Sequence, residues 1–207
     1  MKYKVIEDDQ ISTQDIQKAL ELDRKYYFLD DSNQFNLEKC KNWYQKNMKI
    51  YTMIKDIETD NVVAYINATP VKQKTYSEIR NGLYSDSNIN DEDILPYSAK
   101  GEYNLYFASI VIDFENVPQT VLIPLLNAFI DKVIDLIKHG YIITRIIADA
   151  ISTGGKSLCE RSGMKKITET EHGSTVYEFE LLPPEFKVFS PKLKELYNIL
   201  TEKYNVL

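Results

Sequence analysis

Cysteine is almost missing from this chain: 207 residues hold two, Cys40 and Cys159. That is too few for a disulfide framework and lacks the spacing of a structural zinc site, so no metal is expected and the protein should sit reduced in the cytoplasm. A basic excess is missing as well. The net charge is −6 with both signs interspersed, so no basic face is available to neutralise phosphates, and nucleic acid is not an expected partner. No apolar run reaches the length of a membrane span, and the opening MKYKVIEDDQ has none of the marks of a signal peptide. Membrane association is therefore not expected. Internal repeats and low-complexity linkers are absent too. What is present is ordinary for one soluble globular domain: 43% hydrophobic and 27% charged residues, in a length that buries a real core.

The chain is organised around the stretch from Leu105 to Gly163. LYFASIVID is almost continuously apolar, as a strand covered on both faces is. The following helix places Val121, Leu122, Leu125, Leu126, Phe129, Ile130 and Val133 at helical spacing, with Gln119, Asn127, Asp131 and Asp135 opposite. Asn116 is its expected N-cap, Pro118 suits its first turn, and Gly140 ends it. A second buried strand, IITRIIAD, and a short helix ending at Gly163 complete the stretch. A helix between two buried strands is a βαβ crossover, so the strands should be parallel, with a site at their carboxyl ends.

Around this core the pattern predicts a short strand over 3–6, helices over 13–27 and 37–47, and a hairpin of strands over 50–56 and 62–70. A second hairpin follows over 165–171 and 174–182, with a terminal helix at about 190–204. The segment 71–102 reads as one irregular loop. Asp86, Asp91, Glu92, Asp93 and Glu102 make it acidic, either as a solvated surface or as a rim that attracts a cationic substrate. The expected fold is α/β, a mixed central sheet with a parallel pair in the middle and helices around it, in a single domain over 1–207.

Two local patterns within the central stretch carry more information. Ile112-Asp113-Phe114-Glu115-Asn116 aligns without gaps with a V-D-P-E-Y type strand end, and Leu125-Leu126 with a paired leucine in the next helix. Ser152 to Met164 fits the spacing N-x-x-A-x-x-L-Y-x-x-x-G-F, keeping Leu158 and Gly163. With the order of elements, these motifs make the chain resemble the GNAT superfamily of acyl-CoA-dependent N-acyltransferases from Tyr3 to Leu182, specifically between Leu105 and Met164. The departures are definite. Val117 stands where the family's R-G-x-G-x-G loop has arginine, and Pro118, Thr120 and Leu122 stand at its glycines. In the second motif Ser152, Gly155, Cys159 and Met164 replace asparagine, alanine, tyrosine and phenylalanine.

The resemblance implies a splayed parallel pair that admits the pantetheine of acetyl-CoA or another acyl-CoA, with main-chain contacts around Ile110, Val111 and Ile112. The amides of Gln119, Thr120, Val121 and Leu122 would face the diphosphate, and Ser152 and Gly155 are the remaining candidate cofactor contacts. Cys159, at the tyrosine position, would protonate the departing thiolate. Tyr106, Asp113, Glu115 and Asp149 are candidates for the base, and the sequence does not choose among them. The implied activity is acyl transfer to an amine of a small molecule or protein, in a possible homodimer. The rival is a non-catalytic module of the same fold that binds acyl-CoA or a partner. Gly155-Lys156-Ser157 also invites comparison with a phosphate-binding loop, but Ala150 occupies a required glycine position and only fifty residues follow Ser157.

Overall fold

The computed structural model describes residues 2–27, 36–84, 88–188 and 190–205. Seven strands, β1 (Tyr3–Glu7), β2 (Tyr51–Asp56), β3 (Val62–Val71), β4 (Gly101–Ile112), β5 (Tyr141–Ala150), β6 (Lys165–Glu169) and β7 (Thr175–Glu180), form one sheet in the order β1-β2-β3-β4-β5-β7-β6. All neighbours run antiparallel except β4 and β5. Their crossover is the helix α4 (Leu122–Lys138). Every residue of β3 is buried, because helices cover both faces of the sheet there and strand alternation is lost.

One face carries α1 (Thr13–Tyr26), α2 (Leu37–Lys46) and α3 (Gln73–Arg80), whose Ile16, Trp43 and Tyr76 pack with Met53, Tyr65 and Tyr106. The other carries α4, α5 (Thr153–Arg161) and α6 (Pro191–Tyr204). Leu125 and Phe129 of α4 and Leu196 and Leu200 of α6 pack there with Ile66, Leu105 and Ile143. Local signals set most helix starts. Ser12 closes a capping box with Asp15, its Oγ accepting from the Asp15 amide at 3.2 Å while Asp15 Oδ2 accepts from the Ser12 amide at 2.9 Å. Ser152 and Ser190 cap α5 and α6 through their side-chain oxygens alone, which accept from the Gly155 and Leu193 amides.

Two expectations are corrected. The segment 71–102 is not one irregular loop: it contains α3, whose Tyr76 and Ile79 are core residues, and a bridge from Val71 to Ile94. Tyr76 and Arg80 both donate to Glu178 of β7, at 2.6 and 2.8 Å, which ties α3 down to the sheet. The acidic residues brace this region from within. Asp93 accepts from Thr75 Oγ1 at 2.8 Å and from the Asn90 amide at 2.9 Å, and Asn42 donates to Asp91 at 3.1 Å. Glu102 lies exposed in β4, and Asp86 falls outside the described residues. The second correction is at α4. It begins at Leu122 after a 3-10 turn over Gln119–Val121, and Asn116 does not cap it but donates to Asp113 at 2.8 Å.

Candidate active site

Strands β4 and β5 pair from Gly101 opposite Tyr141 to Phe107 opposite Ala148, with one register shift at Thr144, and then part. The cause is on β4. Asn67 of β3 faces Ser109 and Ala68 faces Phe107, so Ala108 is an extra residue, a bulge that bends β4 away from its parallel neighbour. Beyond it β4 continues along β3 to Ile112, while β5 follows β7 to Ala150. The Asp113 amide donates to Val63 carbonyl at 2.9 Å, which makes 113 and 111 the residues bonded to β3. By the alternation of an antiparallel ladder, the main-chain groups of Ile110 and Ile112 turn the other way, into the fork.

The fork opens a cleft of about 380 Å³ that crosses the sheet, from the groove between α4 and α5 to the carboxyl end of α1. Its walls are mostly apolar, and no lysine, arginine or histidine is among the described residues lining it. Two aspartates are. Asp149 ends β5 in the fork. Its Oδ1 is buried and accepts no hydrogen bond from the described residues, and burial pushes its carboxyl above the usual carboxylate range. Ser174, Lys156 and His172 offset this only in part. Asp23 comes from α1. It accepts from Tyr65 Oη at 2.6 Å and from Ser109 Oγ at 3.5 Å, and burial again raises its pKa because its partners are neutral. Tyr27, one turn on, donates to the Ile110 carbonyl at 3.3 Å.

The other expected residues divide clearly. Cys159 lines the cleft, packed with Ala148, Ala150 and Tyr177, and burial pushes its thiol up to about 11. Ser152 and Gly155 line it too, joined by the Gly155 amide donating to Ser152 Oγ at 3.0 Å. A Cβ at Gly155 would stand 3.1 Å from that oxygen, which is why the smallest residue fits there. Ile110 is on the cleft, whereas the side chains of Val111 and Ile112 are in the two cores. Gln119 and Thr120 are exposed at the tip of α4. Val121 and Leu122 are not available as anion donors: their amides bond to the carbonyls of Pro118 and Gln119 within the 3-10 turn. Tyr106 is not among the residues lining the cleft. It is 1% exposed, in the zipped part of the pair and in the core beneath α1 to α3. Asp113 is held by Lys25 and Tyr26 at 2.7 Å and by Asn116, which keep its carboxyl below the usual range, and exposed Glu115 pairs with Lys25 at 2.7 Å. These two acids fasten α1 to the end of β4.

Asp23 and Tyr27 are the site residues the sequence reading missed. A signal existed: Asp23 lies four residues after Ala19 and three after Leu20, so a carboxylate falls on the apolar stripe of α1.

A mixed sheet of this order, forked at its parallel pair and flanked by helices on both faces, is the GNAT acyltransferase fold. No family model matches the sequence and no curated protein matches it. Solved structures do. The chain is similar to NAA60 of Arabidopsis thaliana in complex with acetyl-CoA, at TM-score 0.56 and 11% identity over 86% of this chain and 98% of that one. It is also similar to an N-acetyltransferase of Staphylococcus aureus (TM-score 0.54, 13% identity, 87% and 99% covered). Ard1 of Thermoplasma volcanium gives TM-score 0.53 and 9% identity, with 86% and 95% covered. Among the described residues no helix is long and apolar enough to cross a membrane, and no group of three metal-ligating side chains occurs.

Proposed function

We propose that this protein is an N-acyltransferase that takes an acyl group from an acyl-CoA thioester and passes it to an amine by direct attack. The observation that carries this reading is the fork itself, an open cleft with a half-buried, underbonded carboxylate at its edge and main-chain groups of β4 that turn away from β3 in its wall. The thioester lies in the fork, where an amide of β4 bonds to the carbonyl oxygen and holds the oxyanion that forms on attack. The amine nitrogen bonds to the acyl carbon and its proton passes to Asp149. The C–S bond then breaks, and Asp149 returns the proton to the departing thiolate. Asp149 suits this shuttle because its raised pKa lies closer to neutrality than an exposed aspartate's.

Cys159 does not suit the acid role assigned to it by position. With a pKa of about 11 it holds its proton more tightly than an ordinary thiol of about 8.5, so donation to the leaving thiolate would run uphill. The same shift leaves little thiolate for a covalent route. The spent amides at the tip of α4, no longer free for a diphosphate, favour a second reading, a non-catalytic module of the same fold.

Two measurements test the proposal. Acetyl-CoA at a hundred times its Kd should raise Tm by roughly 5–10 °C, and no shift would remove the donor. Asp149→Asn should lower kcat by about 10²- to 10⁴-fold with the Tm shift kept, and should abolish the acid limb of the pH profile. Binding without measurable transfer in the parent protein favours the module.

A further inference from the structure

The cleft does not end at the fork. On the face of α4 and α6 it runs back beneath the zipped part of the parallel pair, between Phe107, Phe129, Val133, Ile146, Leu193 and Leu196. Its wall along α4 extends from Ile123 to Val133, ten residues and so about 15 Å of helix. Phe107 and Phe129 meet edge to face at 5.5 Å at this inner end. None of the six side chains carries a polar atom. Ser190, beside them, spends its hydroxyl accepting from the Leu193 amide at 3.2 Å.

This lining decides between parts of a thioester ligand. A pantetheine arm carries two amides, and burying them without partners costs more than the contacts return. An aliphatic chain asks for nothing else. The whole cleft is about 380 Å³, more than twice the roughly 150 Å³ of an apolar cavity that holds benzene. Larger side chains would close such a space in a core with nothing to hold, since empty apolar volume is destabilising. An acetyl group would stop at the fork and leave the inner end unfilled.

We propose that the inner end of the cleft is an acyl-chain pocket, and that the donor carries a linear aliphatic acyl group of about eight carbons rather than acetyl. The inference rests on reading the fork as a thioester site. The chain enters past Phe107 and Ile146, lies along α4, and stops against Leu193 and Leu196 of α6.

Equilibrium titration of the whole protein with CoA, acetyl-CoA and octanoyl-CoA tests this. Octanoyl-CoA should bind at least about a hundredfold more tightly than acetyl-CoA, since six further methylenes leave water. Val133→Phe from α4 and, independently, Leu193→Phe from α6 should each cut that preference at least tenfold while acetyl-CoA affinity changes less than threefold. Acetyl- and octanoyl-CoA binding within threefold of each other would overturn the pocket and leave the donor reading standing. A preference that survives both fillings would also overturn it. Binding of none of the three would overturn the donor reading, and the pocket with it.

Discussion

Asp23 and Asp149 are half-buried at the cleft, and neither forms a salt bridge with a described residue, so the folded state holds both where ionisation is costly. For Asp23 the linkage has a definite sign. Its folded pKa is above the unfolded value, so its stabilising contribution is full below the unfolded pKa and is lost as pH rises through the folded one. The stability of the parent relative to Asp23→Asn should therefore grow as pH is lowered from 7 towards 4. Urea midpoints at several pH values check this, and a gap that is constant or shrinks on acidification contradicts it. At Cys159 the expected result is small: Cys159→Ala should change kcat less than about threefold, and the thiol of the folded protein should react slowly with iodoacetamide at pH 7. A loss of a hundredfold would restore the thiol as an acid.

At the scale of elements, Lys132 shows how the central helix is held in place. Its ammonium is buried, donating to the Tyr51 carbonyl at 2.5 Å and lying 3.2 Å from both Glu7 and Asp8, so α4 is pinned across the ends of β1 and β2. Lys132→Ala should lower unfolding stability by about 3 kcal/mol, the lower end for a broken buried pair because both acids are partly exposed. Urea denaturation measures it. The elements themselves were largely legible. Ser12 and Asp15 announce the start of α1, and the apolar stripe of α4 announces its length. Helix α3 was not legible, because QKTYSEIR is short and mostly polar, and Lys72 before it makes no side-chain cap. It is a helix because Tyr76 and Ile79 bury against the sheet and Glu178 anchors it, contacts from residues about a hundred positions away. Lys132 was equally hidden, since a lysine on a helix face usually points to water.

For the whole molecule the decisive feature is where the parallel pair stops. Acyl-CoA binding should slow hydrogen exchange at Ile110 and Ile112, whose amides face the fork, and leave Tyr103 to Tyr106 unchanged because they are already zipped to β5. Equal protection of both stretches would place the ligand elsewhere. Half-buried Ala108, Ser109 and Ile110 appear as continuous apolar strand in the sequence, where nothing distinguishes a residue facing a cleft from one facing a core.

The order of the strands and of the helices other than α3, the parallel pair, the caps of α1 and α5 and the place of Asp149 at a strand end were all decided by local pattern, because hydrophobic period and capping act over a few residues. The bulge at Ala108, the arrival of Asp23 and Tyr27 from α1, the exclusion of Tyr106 and the loss of the Val121 and Leu122 amides were decided only in the folded chain. Each depends on which side of a strand or turn a group faces once distant segments have packed, and no spacing along one sequence encodes that.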